Sequence, residues 1–335
     1  WILKMVTYKK AAIYSKIGHP PNVIEFVDVE KPTYKNNEVV IDVEIATINP
    51  SHLLALSGKY GVHKSLPAVG GGEGVGCIAE IGSSVTGFKI GDRVMIPPAP
   101  TWSQQVKVKA SDILLTLPGD VEPAQLSMLM ANPPTAWLLL NKLVRLKKGD
   151  WLIQNAANSA VGQYVMQLSR IYGYKTINIV RQKRYQRLIK KCGGDIYITE
   201  DQANDKKIIE KLKSKNIRLG LDAIAGKNTQ VLANFLSDNG VIGNYGLLSG
   251  KSCQLSPHDI VFRNISLRGI WLSQWLKGHN SNKGSRLKVY NELVEYILKG
   301  ELKAEVEKVY KLKDIKGAIR HAMKSRTGKI LLKPN

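Results

Sequence analysis

The stretch GDWLIQNAANSAVGQYVMQLSRIYGYKTINIVRQKR, Gly149 to Arg184, decides the fold. Its apolar run Leu152–Asn155 is too short for a helix and lies between Gly-Asp and a set of small residues, as a buried strand does. Val161, Val165, Leu168 and Tyr172 then recur at i, i+4, i+7 and i+11, one apolar stripe along a helix. Gly173 stands where a helix stops, and Thr176–Val180 is a second β-rich run. The segment is therefore a βαβ unit with a small-residue turn after its first strand.

Such a turn lets backbone approach a pyrophosphate at the helix N-terminus, where free N–H groups and the helix dipole favour anions. The G-x-G-x-x-G fingerprint would fall on Ala157, Ser159 and Gly162, so only its last glycine is kept. The pattern is weak, but the strand and helix lie where the motif requires them. A crossover without a ligand is the alternative. An acidic residue at the end of the second strand would bind an NAD ribose, whereas arginine accommodates the 2′-phosphate of NADP. Here Arg181, Lys183 and Arg184 follow the strand and the next acid is Asp195. A dinucleotide bound here would be NADP(H), unless these are ordinary solvated charges.

The 335 residues exceed what one hydrophobic core usually serves, so two domains are expected. The content of 44% hydrophobic and 23% charged residues is that of a globular protein, and no apolar run reaches the roughly 18 residues that span a membrane. Trp1 opens the chain without an initiator Met, which fits a leader that has been cut away, naturally or by design. Cys77, Cys192 and Cys253 lie far apart with no C-x-x-C, against a disulfide framework and a structural zinc lobe. The net charge of +22 suits anionic partners. Its lysines are spread along the chain and no nucleic-acid-binding motif appears, which favours a solvated lysine surface.

Upstream, the chain is β-rich to about residue 115. Glu38–Ile48 alternates apolar and polar residues as a half-buried strand does, and Asn49-Pro50-Ser51 has turn chemistry before a helical piece at His52–Ser57. Gly58-Lys59-Tyr60-Gly61 is a glycine-flanked exposed tyrosine. The glycine-dense run Gly70–Gly76 lets backbone pass close to other backbone or to a ligand. Gly91–Ile96 reads as turn then strand, and Pro97–Trp102 as a rigid loop. From Pro123 the chain turns helical, with Asn132-Pro133-Pro134-Thr135 interrupting. Strands at Asp195–Thr199, Leu219–Ile224 and Val241–Tyr245 alternate with helices, which argues for a doubly wound parallel sheet. Residues 286–299 and 312–324 read as helices before Lys329–Leu332.

The pattern Gly91-Asp92-Arg93-Val94, Gly149-Asp150 and Thr327-Gly328-Lys329-Ile330-Leu331-Leu332 resembles the medium-chain dehydrogenase/reductase superfamily over essentially the whole chain. Within it, the chain is similar to the zinc-free mitochondrial trans-2-enoyl-thioester reductases. The motifs that carry this are Ile48-Asn49-Pro50-Ser51, Gly58-Lys59-Tyr60-Gly61, Leu66–Gly71, Ile153–Ser159, Thr176–Arg181 and Trp271-Leu272-Ser273-Gln274-Trp275. The resemblance implies an α/β fold: a GroES-like β-rich catalytic domain (1–118 and 286–335) around a Rossmann NADP-binding domain with a doubly wound parallel sheet (119–285). It implies NADPH-dependent reduction of an enoyl-CoA or enoyl-acyl-carrier thioester, hydride to the β-carbon and a proton from Tyr60, in the mitochondrial matrix and in a homodimer.

The resemblance places Asn49 and Trp271 at the substrate. Asn132, Asn158, Ser159, Ala160, Val161, Arg181, Lys183, Tyr245, Gly246, Leu247, Leu248, Ile270, Trp271, Leu272, Ser273 and Lys329 match its cofactor contacts. Where zinc-dependent relatives carry Cys and Gly-His-Glu, this chain has Thr47 and Gly72-Glu73, so no metal is expected. His52, Gly72, Pro100 and Ala160 depart from the family pattern. The alternatives are a quinone oxidoreductase-like NADPH reductase on the same fold, and a basic nucleic-acid-binding protein on a retired scaffold. The +22 charge would suit CoA or an acidic acyl carrier protein.

Overall fold

The computed structural model describes residues 7–335, and Trp1 lies outside them. The chain divides into two compact units. One holds the chain up to Ala131 together with Lys283–Leu298 and Glu305–Asn335; the other holds Asn132–Asn282 and Lys299–Ala304.

The first unit opens with β1 (Tyr8–Tyr14), α1 (Pro20–Val23), β2 (Ile24–Glu30), β3 (Glu38–Thr47), α2 (Pro50–Leu56), β4 (Ala68–Val69), β5 (Gly74–Ile81), β6 (Arg93–Met95), β7 (Gln105–Lys109) and α3 (Pro123–Leu126). The second unit contributes α4 (Asn132–Asn141), β8 (Trp151–Gln154), α5 (Ala160–Tyr172), β9 (Lys175–Val180), α6 (Gln186–Lys191), β10 (Ile196–Thr199), α7 (Lys206–Lys213), β11 (Leu219–Asp222), α8 (Lys227–Phe235), β12 (Val241–Asn244), α9 (Pro257–Val261), β13 (Ser266–Gly269) and α10 (Leu272–Leu276). The first unit closes with α11 (Lys283–Leu298), β14 (Val306–Lys311), α12 (Ile315–Ala322) and β15 (Lys329–Lys333).

In the first unit β3 is the hub, pairing antiparallel with β5, β7 and β15. Its alternation promised one buried face, yet Val39, Val40 and Ile41 are all fully buried. Register shifts against β5 at Val40/Ile41 and Val43/Ile45 turn the strand so that both faces pack. The β15 register, Leu331 opposite Thr47 and Leu332 opposite Ala46, extrapolates to Lys329 opposite Asn49. The Ile48 N–H donates to the Ile330 carbonyl at 3.2 Å and fixes that alignment.

The second unit is a parallel sheet in the order β10-β9-β8-β11-β12-β13. Leu152, Ile153, Ile177, Leu219, Leu221 and Ile242 are fully buried in it, the continuous apolar runs that a sheet covered on both faces requires. The chain reverses its lateral progress between β8 and β11, the switch point at which such sheets bind ligands beyond their carboxyl ends. The Asn132-Pro133-Pro134 segment does not interrupt a helix, because it begins α4. Proline is tolerated in a first helical turn, where the N–H it lacks has no intrahelical acceptor.

Candidate functional site

In the second unit the turn after β8 is locked from both sides. The Asn155 N–H donates to the Leu221 carbonyl of β11 at 3.1 Å, and the Ala157 N–H to the Ile179 carbonyl of β9 at 3.2 Å. The Asn155 amide donates to Asp222 at 2.7 Å and accepts from the Ala223 N–H at 2.8 Å. Asp222, fully buried, also accepts from Thr229 and from the Ile224 and Ala225 amides. Ser159 caps α5, its hydroxyl accepting from the Gly162 N–H at 3.1 Å, and Gly173 ends the helix in the left-handed region at φ 77°. The retained glycine has a steric reason: a Cβ on Gly162 would lie 2.6 Å from the Ala157 carbonyl oxygen.

Most of the residues expected at a cofactor lie at the carboxyl ends of these strands; Asn132 and Lys329 do not. Asn158, Ser159, Ala160 and Val161 form the turn and first helical positions after β8, and Arg181 and Lys183 stand exposed just past β9. Asp195 cannot serve as a ribose-binding acid at that strand end, since it accepts from Lys175 at 2.8 Å and from the Thr176 N–H at 2.9 Å. Tyr245–Leu248 follow β12 and Ile270–Ser273 follow β13, side by side because Asn244 pairs with Gly269 and the Ile270 N–H donates to the Asn244 carbonyl. Leu247, Leu248 and Trp271 present exposed apolar surface there, with Trp271 39% accessible. The buried tryptophan of this motif is Trp275, packed near Trp137 of α4 with ring centroids 6.3 Å apart. Asn132, the first residue of α4, is buried.

These residues fit a dinucleotide. The Tyr245 hydroxyl is buried beside Ser159 at the helix N-terminus without a hydrogen bond of normal geometry, and burial pushes its ionisation up. The start of α5 offers amide donors to an anion.

In the first unit Asn49 precedes α2, and Tyr60 follows that helix after Gly58, which holds φ +70°. Tyr60 is half-buried, more enclosed than the exposed tyrosine that its glycine flanks suggested. Lys329 is no surface lysine. It is 5% accessible and donates to Asn49 Oδ1 across the β15–β3 register. Asn49 Nδ2 donates to Thr47 Oγ1 at 3.1 Å and to Glu73 Oε2 at 2.5 Å. Glu73, 1% accessible, also accepts from the Thr47 hydroxyl at 2.6 Å and from the Ala131 N–H at 2.8 Å. Sequence reasoning assigned Glu73 no role; an acid in a glycine-dense run was the available signal.

Burial lowers the Lys329 ammonium to about 8, assisted by Arg326 and opposed by Glu73. Burial, then the charges of Lys329 and Lys64, push His52 down to about 3, so its ring is neutral at ordinary pH. His52 Nδ1 accepts from the Asn49 N–H at 3.2 Å, and a Cβ on Gly72 would lie 3.0 Å from its Nε2. Two of the departures from the family pattern thus share one volume, since the His52 ring takes the room beside residue 72. The neighbouring glycines serve packing. Trp102, fully buried with its indole N–H donating to the Thr47 carbonyl at 2.9 Å, leaves no room for a Cβ on Gly70 or Gly71. The donor set does not suit zinc, because the Thr47 hydroxyl is committed to Glu73 and Gly72 offers no side chain.

The alcohol dehydrogenase GroES-like domain pattern matches residues 35–119, and the zinc-binding dehydrogenase pattern matches residues 160–283. The mitochondrial enoyl-[acyl-carrier-protein] reductase of Dictyostelium discoideum is 35% identical over 325 residues, 93% of this chain and 91% of that one. Among solved structures, the mitochondrial 2-enoyl thioester reductase heterodimer of Candida tropicalis superposes with a TM-score of 0.87 at 24% identity, over 98% of this chain and 100% of that one. A Pseudomonas syringae quinone oxidoreductase gives 0.85 at 24% identity, over 97% and 100%. These two share the fold, whereas the sequence kinship runs nearly end to end. At 35% identity over nearly the whole of both chains, the chain belongs to the family of mitochondrial enoyl-[acyl-carrier-protein] reductases.

Proposed function

We propose that this protein reduces the carbon–carbon double bond of trans-2-enoyl thioesters with NADPH. Kinship to an enoyl-[acyl-carrier-protein] reductase over 93% of the chain carries the substrate class. Arg181 and Lys183, exposed beyond β9 where an NAD enzyme needs an acid, support NADP(H). NADPH supplies a hydride for the β-carbon of the thioester. Asn158 to Val161 would hold its pyrophosphate and Arg181 and Lys183 its 2′-phosphate, with Tyr245–Leu248, Ile270–Ser273, Asn132 and Lys329 as further contacts. Trp271 flanks the acyl chain. Tyr60 gives its hydroxyl proton to the α-carbon of the enolate that hydride addition leaves. Asn49 acts through Lys329, because both ends of its amide are engaged inside the unit.

The carrier protein is acidic in this proposal, drawn to a chain of net charge +22, and kcat/KM for a carrier-bound substrate falls as salt rises. The working unit is a homodimer. Strand β13 is an edge strand, and Leu267 on it and Ile260, Val261 and Phe262 around α9 are exposed apolar side chains. Phe262→Asp then yields a monomer by light scattering. The enzyme works in the mitochondrion in this proposal, a reading that the names of its relatives support.

A quinone reductase is the second reading, favoured by the fold shared with the Pseudomonas syringae enzyme. The test is NADPH oxidation with crotonyl-CoA and with a quinone as separate acceptors, with the acyl product identified by mass. Saturated butyryl thioester as the main product supports the proposal; quinone turnover without it overturns it.

A further inference from the structure

Four residues from separate parts of the first unit meet in one buried polar chain. Thr47 ends β3, Asn49 caps α2, Glu73 precedes β5 and Lys329 opens β15. The carboxamide of Asn49 lies between two opposite charges. Its oxygen accepts from the Lys329 ammonium and its N–H₂ donates to Glu73, so each charge polarises the amide toward the other. Three donors converge on Glu73: the Thr47 hydroxyl, the Asn49 amide and the Ala131 N–H. Burial pushes its carboxyl up, but such donors and a neighbouring ammonium are the surroundings of a carboxylate. A lone ammonium at 5% accessibility would be forced toward its neutral form, and an opposite charge nearby opposes that.

Charged and titratable groups face this ammonium from several elements. Glu73 faces it from the segment before β5, Arg326 from the turn before β15, and His52 from α2, with Lys64 acting on the same histidine from the loop before β4. Tyr290 of α11 feels Glu73 and donates to the Met130 carbonyl at 2.9 Å. Glu73 is the one acid among these groups, while Arg326 disfavours the charged lysine and His52 is neutral.

We propose that Glu73 is a positioning residue: acting through the Asn49 amide, it keeps Lys329 charged and aimed for an anionic group of the bound cofactor. The cofactor part rests on the function proposed above; the holding of Lys329 does not. Thr47 orients the acid, and the β15 register brings the cation to it.

The direct test reads the Lys329 titration without any ligand. A lysine held to about 8 in the folded state, against 10.5 when unfolded, binds fewer protons than the unfolded chain between those values. Stability from this group therefore rises with pH from about 8 to 10.5 and is lost again as pH falls through that window. Urea unfolding is measured from pH 6 to 10.5 on wild type, Lys329→Arg, Glu73→Gln and Glu73→Asp. The rise should vanish in Lys329→Arg. In Glu73→Gln it should begin at least about one pH unit lower, a roughly tenfold shift in proton affinity, and Glu73→Asp should restore most of the wild-type profile. A Glu73→Gln profile that coincides with wild type overturns the proposal, as does a rise that persists in Lys329→Arg, a variant that keeps charge and length if Glu73→Gln fails to fold. NADPH affinity over the same range separates the two readings. Loss of affinity above about 8 in wild type and not in Lys329→Arg supports the cofactor role. With the unfolding shift present and no such loss, Lys329 serves another anion and its cofactor assignment falls.

Discussion

Replacing Gly162 by alanine tests whether the turn after β8 is built for a ligand or merely for a crossover. The added Cβ would lie 2.6 Å from the Ala157 carbonyl oxygen and 2.8 Å from its carbon and Cα. All three are backbone atoms, and the turn that carries them is tied to β9 by the Ala157 N–H and to Asp222 through Asn155. The turn cannot yield easily, so the start of α5 must move away by several tenths of an ångström. Overpacking of this kind costs roughly 1–3 kcal/mol, offset by about 1 kcal/mol of helix propensity gained from alanine, for a net loss of about 0–2 kcal/mol. The functional loss should be larger, because displacement moves the amides expected to meet the pyrophosphate and weakens several hydrogen bonds together. Titration of NADPH fluorescence should show affinity reduced at least about tenfold, equivalent to about 1.4 kcal/mol, while urea unfolding shows a loss of no more than about 2 kcal/mol. Gly317→Ala is the control: it lies in α12 with open space around its Cβ and should stabilise by up to about 1 kcal/mol without touching affinity. Unchanged NADPH affinity in Gly162→Ala would refute the role given to this turn.

Arg181→Asp should raise KM for NADPH by tenfold or more and improve NADH relative to it, checked by initial rates with both cofactors; equal losses would mean that the arginine reads nothing. Asp259, against the upward push of burial, is held down to about 2 by donors from Ser256, Gln230 and Arg263. Its contribution is present above the unfolded value of 3.8 and is lost as pH falls through 2. Asp259→Asn should therefore remove about 2 kcal/mol at pH 6 and progressively less toward pH 2, measured by urea unfolding. Trp275→Ala removes a buried ring packed near Trp137 and should cost about 3–5 kcal/mol by the same assay, whereas Trp271→Ala should leave stability within about 1 kcal/mol and raise KM for the thioester.

The second unit was the more legible part of the chain. Its strands are short apolar runs between turn signals, and the stripe from Val161 to Tyr172 admits only a helix, so local periodicity states the topology. The first unit was harder because its strands pair over long sequence distances. Nothing local marks Lys329 as buried: its environment comes from a register that sets β15 beside β3, 280 residues away in the chain. Glu73 was overlooked for the same reason, since the donors that surround it come from residues 47, 49 and 131. The run Gly70–Gly76 signalled close approach correctly but not its object, which at Gly70 and Gly71 is the indole of Trp102. Propensity misled at Asn132-Pro133-Pro134, where two prolines read as a break but occupy a first helical turn.

The most direct measurement compares wild type with Tyr60→Phe in NADPH oxidation with crotonyl-CoA, with NADPH affinity measured beside it. If Tyr60 delivers the proton, kcat should fall by about 10²–10⁴-fold while NADPH affinity stays as it was. A Tyr60→Phe enzyme that reduces the enoyl thioester at a near-normal rate would contradict that role.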